Sequence, residues 1–189
     1  MSELTSSAVK KDLSDVLKYF ELNSMGIAPH GSLIRLSLIV PMFSISFSVL
    51  SVIVLYLSNY GLDGREGGVF RYFMTDGWAL VLPTFITALF FSLMAYNNLI
   101  LYLSIPVEVK RNSIVITYLK NLVRRMVIFF FIALFILSLL SWVSPWFAVA
   151  IPVMQLVFLF VVNIVVSSEI NRLGIGLALE KFSTLINKI

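Results

Sequence analysis

From Met126 to Ser168 the chain runs for 43 residues without an Asp, Glu, Lys, Arg or His. As one straight helix it would reach roughly 65 Å, about twice the ~30 Å hydrocarbon thickness of a bilayer. One crossing is therefore too short a use for it, and the stretch SWVSPW, Ser141 to Trp146, supplies a break. Pro145 lacks a backbone donor and drives Ser144 out of the helical region, while Trp142 and Trp146 suit the headgroup level of a membrane. The run reads as a transmembrane hairpin with its tip at SWVSPW. The alternative is a soluble buried hairpin, but nothing charged lies on any face of either arm, which favours the membrane.

The rest of the chain agrees. Of 189 residues 59% are hydrophobic and only 13% charged, which places the sequence among polytopic membrane proteins, with a length that suits one domain, 1–189. Hydropathy marks four spans: Leu36 to Leu57, Trp78 to Leu103, Met126 to Ser141 and Phe147 to Val166. The expected fold is all-α, a four-transmembrane-helix bundle with amphipathic helices at both ends. The third span is short, but SIVITYLKNLVRR before it has helical spacing, so one helix is expected to start near Asn112 and enter the membrane at Arg124 and Arg125, which snorkel to the interface.

Basic residues give the orientation. If both termini are cytoplasmic, the segments 1–32, 104–125 and 167–189, with Arg35 at the start of the first span, carry twelve of the 14 Lys and Arg residues, against two in the outer loop 59–77 and none in the tip. The net charge of +4 thus reports topology and contact with anionic lipid, and no nucleic-acid partner is expected. The polar start, Met1 to Asn23, lacks the pattern of a secretory leader. Its Val9, Leu13, Val16, Leu17 and Phe20 share one helical face, the mark of an amphipathic helix on the cytoplasmic surface. A second such helix is expected after Val166, in SSEINRLGIGLALEKFSTLINKI.

Chemistry finds little to work with. Cysteine is absent, and His30, the only histidine, sits in a Pro-His-Gly linker with no spaced partner for a metal or a nucleophile. GLDGREGG, Gly61 to Gly68, lacks the GK[ST] ending of a phosphate loop and reads as a flexible outer turn. No Asp, Glu, Lys, Arg or His lies between Asp76 and Glu108 or between Arg125 and Glu169, which argues against an ion-coupled transporter. The expectation is a protein without catalytic residues, cofactor or metal.

Neutral polar groups remain. Asn97 and Asn98 fall near the inner end of the second span; Gln155 and Asn163 share a face of the fourth with Ala148, Pro152, Leu159 and Ser167, and that face is expected to meet another helix. Ser44, Ser48 and Ser51 align on the first span, and Thr84, Ala88, Ser92 and Ala95 on the second, where small residues let backbones approach. The third span has Phe129, Phe130, Phe131 and Phe135 but few small residues, and is expected to face lipid. Small-residue faces left over would permit a homo-oligomer. Outside the membrane, Asp63, Arg65, Glu66, Arg71, Tyr72 and Asp76, beside Trp142 and Trp146 of the tip, form a surface of mixed chemistry suited to partner recognition, with a merely solubilising loop as the alternative.

The amphipathic start AVKKDLSDVLKYFELN, spans such as RRMVIFFFIALFILSLL and the short loops resemble the layout of the inner-membrane entry-exclusion proteins of F-like conjugative plasmids. The resemblance covers nearly the whole chain and involves no diagnostic motif. It implies a bacterial inner-membrane protein that engages a cognate donor conjugation protein and so blocks redundant DNA transfer. An immunity protein against a pore-forming bacteriocin, or a subunit of a small channel or transporter, fits the same layout.

Overall fold

The computed structural model describes residues 11, 12, 14, 30–61, 67–104, 110, 111 and 113–172, and these form an all-α structure with no strand among the described residues. Its elements are α1 (His30–Tyr60), the short α2 (Gly68–Tyr72), a π-helical turn (Phe73–Gly77), α3 (Trp78–Ser104), α4 (Ile114–Leu140) and α5 (Trp146–Arg172). Four helical stretches are long and apolar enough to cross a membrane: 31–60, 68–100, 114–140 and 146–172. A helix of 27 residues, the length of α4 and of α5, reaches about 40 Å and so spans the bilayer with a turn or two to spare. The chain is a multi-pass membrane protein. The expected amphipathic helices fall largely outside the described residues, which include only 11, 12 and 14 of the first and 167–172 of the second, the last turns of α5.

α1 packs against α3, α4 and α5, while α5 also meets α3 and α4. Around the bundle the order is therefore α1, α3, α5, α4, with α1 and α5 touching across the diagonal. The core sits at two levels. Phe130, Leu134, Ile151 and Phe158 fill the middle, and Val52, Tyr56 and Tyr72 fill the end nearer the α4–α5 hairpin.

Local chemistry explains the hairpin. Leu137, Leu139 and Leu140 carbonyls accept from the amides of Ser141, Trp142 and Val143, which closes α4 with a tight final turn. Ser144 O then accepts from Phe147 N and Pro145 O from Ala148 N, so Pro145 stands immediately before α5, where its missing N–H costs nothing. At the other end of α4, Ser113 is the N-cap and its Oγ accepts from Ile116 N at 3.2 Å. The Asp12 carboxylate, 101 residues earlier, accepts from Ser113 Oγ at 2.8 Å and from Val115 N at 3.2 Å. An anion on the N-terminal amides of a helix is electrostatically favourable, and here it ties the start of the chain to α4.

Two expectations are corrected. The third span was expected to face lipid, yet Phe130 and Leu134 on α4 are the centre of the core, at 1% and 0% exposure. The stretch with the smallest buried share is 68–100, which contains α3. Aromatic bulk does not predict a lipid face, because ring stacking fills a helix interface as well as small residues do. The outer loop was expected to run from 59 to 77, but residues 68–77 are helical and continue into α3. Tyr72 and Gly77 are both buried against α1. Five residues apart, they would lie about 140° apart on an α-helix, whereas the wider π turn brings them near one face.

Candidate recognition surface

Three pieces of chain meet at the hairpin end: the last turn of α1, the start of α2 and the SWVSPW tip. Tyr56, Tyr60 and Tyr72 form a triangle of rings with centroids 5.5, 5.7 and 5.9 Å apart, which fastens α2 to α1. Ser58 Oγ donates to Trp142 O at 2.8 Å and fastens the tip to α1. Gly67 makes the entry to α2 possible. Its φ of 95° favours glycine, and a Cβ there would run into the stem of Arg71.

Upon this base stand the exposed side chains of Arg71, Asp76, Trp142 and Trp146. Thr75, also exposed, places its Oγ 3.1 Å from Asp76 Oδ2 and within reach of the Arg71 and Tyr72 carbonyls, so it borders the acidic group. Val143, Trp146 and Phe70, at 75%, 78% and 72% exposure, add apolar surface at the same end. Of the residues singled out for recognition, Asp63, Arg65 and Glu66 lie outside the described residues. Tyr72 is buried within the ring triangle, so it supports the surface and does not present itself. Thr75 and Phe70 were missed by sequence reasoning; a helix starting at Gly68 would have marked them as its outer face.

Within the membrane the polar groups serve packing. Ser44, Ser48, Ser51, Thr84 and Gln155 are all fully buried and Ala88 nearly so, while Ser92 is half-buried. Thr84 Oγ1 donates to Ser48 Oγ at 3.1 Å across the α1–α3 seam. Thr87 Oγ1 lies 3.0 Å from Thr84 O and 3.2 Å from Gln155 Oε1, and has one proton for two acceptors. In this arrangement Gln155 Nε2 has no partner. With the amide turned over, its NH2 would donate to Thr87 and Thr87 to Thr84 O, leaving Oε1 bare instead. Either way one half of a buried amide is unsatisfied, near the middle of α5.

Nearer the opposite end Asn98 Nδ2 donates to Asn163 Oδ1 at 3.3 Å, and Asn163 Nδ2 donates to Leu159 O at 2.7 Å. There Lys110 Nζ donates to Leu103 O at 3.3 Å and sits 4.8 Å above the Tyr102 ring, where partial burial holds its pKa below the ordinary lysine value. Among the described residues no group of three His, Asp or Glu could hold a metal ion. Comparison with protein-family profiles, curated proteins and solved structures returns no match.

Proposed function

We propose that the protein is a recognition factor of the bacterial inner membrane, with both termini cytoplasmic, and that its task is exclusion of redundant conjugative transfer. The observation that carries this reading is the hairpin end: a mixed surface of Arg71, Asp76, Trp142 and Trp146, exposed and held by the tyrosine triangle and the Ser58–Trp142 contact. Aromatic and arginine side chains on a fixed base are what a selective protein contact uses, since little ordering entropy remains to be lost on binding. The seams between helices add support of a different kind. Their polar groups are hydroxyls and neutral amides, so the bundle offers a rigid mount in place of an ion pathway. The partner is a cognate donor protein reaching the outer face; no catalysis is involved.

A mating assay tests this. The protein is expressed alone in a plasmid-free recipient, and transfer is measured from donors of several plasmid types. Reduced transfer from one type only is the expected result. Unchanged transfer from every type sinks the exclusion role, and protection of the same cells from a pore-forming bacteriocin would assign the immunity role instead. Where exclusion is seen, Arg71→Glu with Asp76→Lys should weaken it at unchanged membrane abundance. Exclusion that survives this pair but is lost on removing residues 2–23 places recognition on the cytoplasmic side.

A further inference from the structure

A cavity of about 570 Å³ opens between α4 and α5 on the side of the bundle. Its floor is the stacked pair Phe130 and Phe158, with centroids 4.1 Å apart and rings 8° from parallel, and its walls include Met126, Phe129 and Met154. Phe129 is 72% exposed, so the cavity faces outward, into the hydrocarbon of the bilayer. Val157 and Val161 line it as well, and Arg125 is its one charged neighbour. Counting back from the hairpin tip at Ser141, Arg125 lies about 24 Å along α4. That depth is just inside the far edge of a ~30 Å hydrocarbon layer, within snorkelling reach of the headgroups.

We propose that this groove binds one anionic phospholipid, its phosphate against Arg125 and an acyl chain along Phe129, Met126 and Met154. Two properties of the site ask for such an occupant. The groove is apolar along its length, which suits a hydrocarbon chain; Arg125 borders it, and its long side chain can bring to the mouth a guanidinium whose planar fork matches phosphate oxygens. Among the described residues no carboxylate lies within ion-pairing distance of Arg125. A transmembrane helix from a second copy of the chain is a poorer fit, because the spans bring no acidic group to that depth. The nearest candidate, Glu169 at the end of α5, already has Arg172 at 3.2 Å. The flexible Met126 and Met154 walls also adapt to a chain of varying conformation.

Purified protein in mild detergent, titrated with dioleoyl phosphatidylglycerol or dioleoyl phosphatidylcholine and read by native mass spectrometry, tests the site. The expected result is a first lipid retained about fivefold more strongly for phosphatidylglycerol, the factor equivalent to about 1 kcal/mol for one basic residue near an anionic group. Arg125→Gln should abolish that preference, while Arg124→Gln, an equal loss of charge outside the groove, should change it less than twofold. Val157→Trp, on the exposed rim, should fill the groove and remove retention of the first lipid with Arg125 intact; it decides the matter if Arg125→Gln does not purify as a single species. Equal retention of the two lipids overturns the proposal, as does a preference that Arg125→Gln leaves intact or retention that Val157→Trp leaves intact. Displacement of phosphatidylglycerol by glycerol 3-phosphate at equal concentration would reduce the site to an anion contact and overturn the groove.

Discussion

Two seams hold this bundle together by opposite means. Between α1 and α3 the residues are small: Ser44, Ser48, Ser51, Thr84 and Ala88 are buried, and Gly77 brings the backbone so near that a Cβ would stand 2.6 Å from Val52 Cγ1. Between α4 and α5 the residues are large, with Phe130, Leu134, Ile151 and Phe158 in contact and an open groove beside them. In lipid there is no hydrophobic gain from bringing two apolar helices together, so association rests on packing and hydrogen bonds. Small residues achieve close backbone contact with little volume to misplace. Large rings achieve it through dispersion, and where rings of fixed shape meet they leave gaps that a lipid chain can occupy.

If the second seam depends on ring stacking, Phe130→Ala is the most damaging single change on either. It removes the stack on Phe158 and leaves a hole at the centre of the bundle, with an expected loss of about 3 kcal/mol in unfolding measured in detergent. Phe129→Ala, one residue along and facing lipid, should cost less than about 0.5 kcal/mol. Equal effects at the two positions would mean that α4 is rotated from the orientation described.

The small-residue seam breaks in the other direction, by addition. Gly77→Ala sets a methyl group against Val52 and should cost about 1–3 kcal/mol. Val52→Ala in the same chain should return part of that loss, since the two side chains then share the space, and the double-mutant cycle reads the coupling directly. Additive effects would show that the seam opens by other means.

How legible each seam was follows from the same contrast. Ser44, Ser48 and Ser51 recur at helical spacing in a hydrophobic run, and a stripe of small polar residues there has few other uses, so the first seam could be read from the sequence. The hairpin was legible too, because Trp142, Pro145 and Trp146 interrupt a run too long for one crossing. Phe130 was not, since a phenylalanine in such a run serves lipid or core equally well, and only the neighbouring helices decide. The helix at 68–77 was hidden by Gly67, Gly68 and their charged neighbours, whose composition is that of a turn; its π turn depends on what α1 offers opposite. The Asp12 contact with α4 joins residues 101 positions apart and has no local signature.

That contact gives the second seam a support at its far end. Ser113→Ala removes the hydroxyl that caps Ile116 N and bonds Asp12, with an expected cost of about 1 kcal/mol. Hydrogen exchange should show the loss in the first turn of α4, with the α1–α3 seam unchanged. Spread of the effect into α1 would tie the two seams into one cooperative unit.

The smallest effect is expected where the two seams meet, at Gln155. Its amide is fully buried on α5, it reaches Thr87 on α3 with one half, and the other half has no partner. A hydrogen bond between transmembrane helices contributes about 0.6 kcal/mol on average, and a bare amide atom in a dry interior opposes it by a similar or larger amount. Gln155→Leu keeps nearly the same volume and removes both contributions, so stability in detergent should change by less than about 0.6 kcal/mol, with either sign. Gln155→Ala instead leaves a cavity and should cost about 2 kcal/mol. If the leucine variant loses as much as the alanine variant, both halves of the amide are satisfied in the membrane, and the free half is bonded to water held inside the bundle.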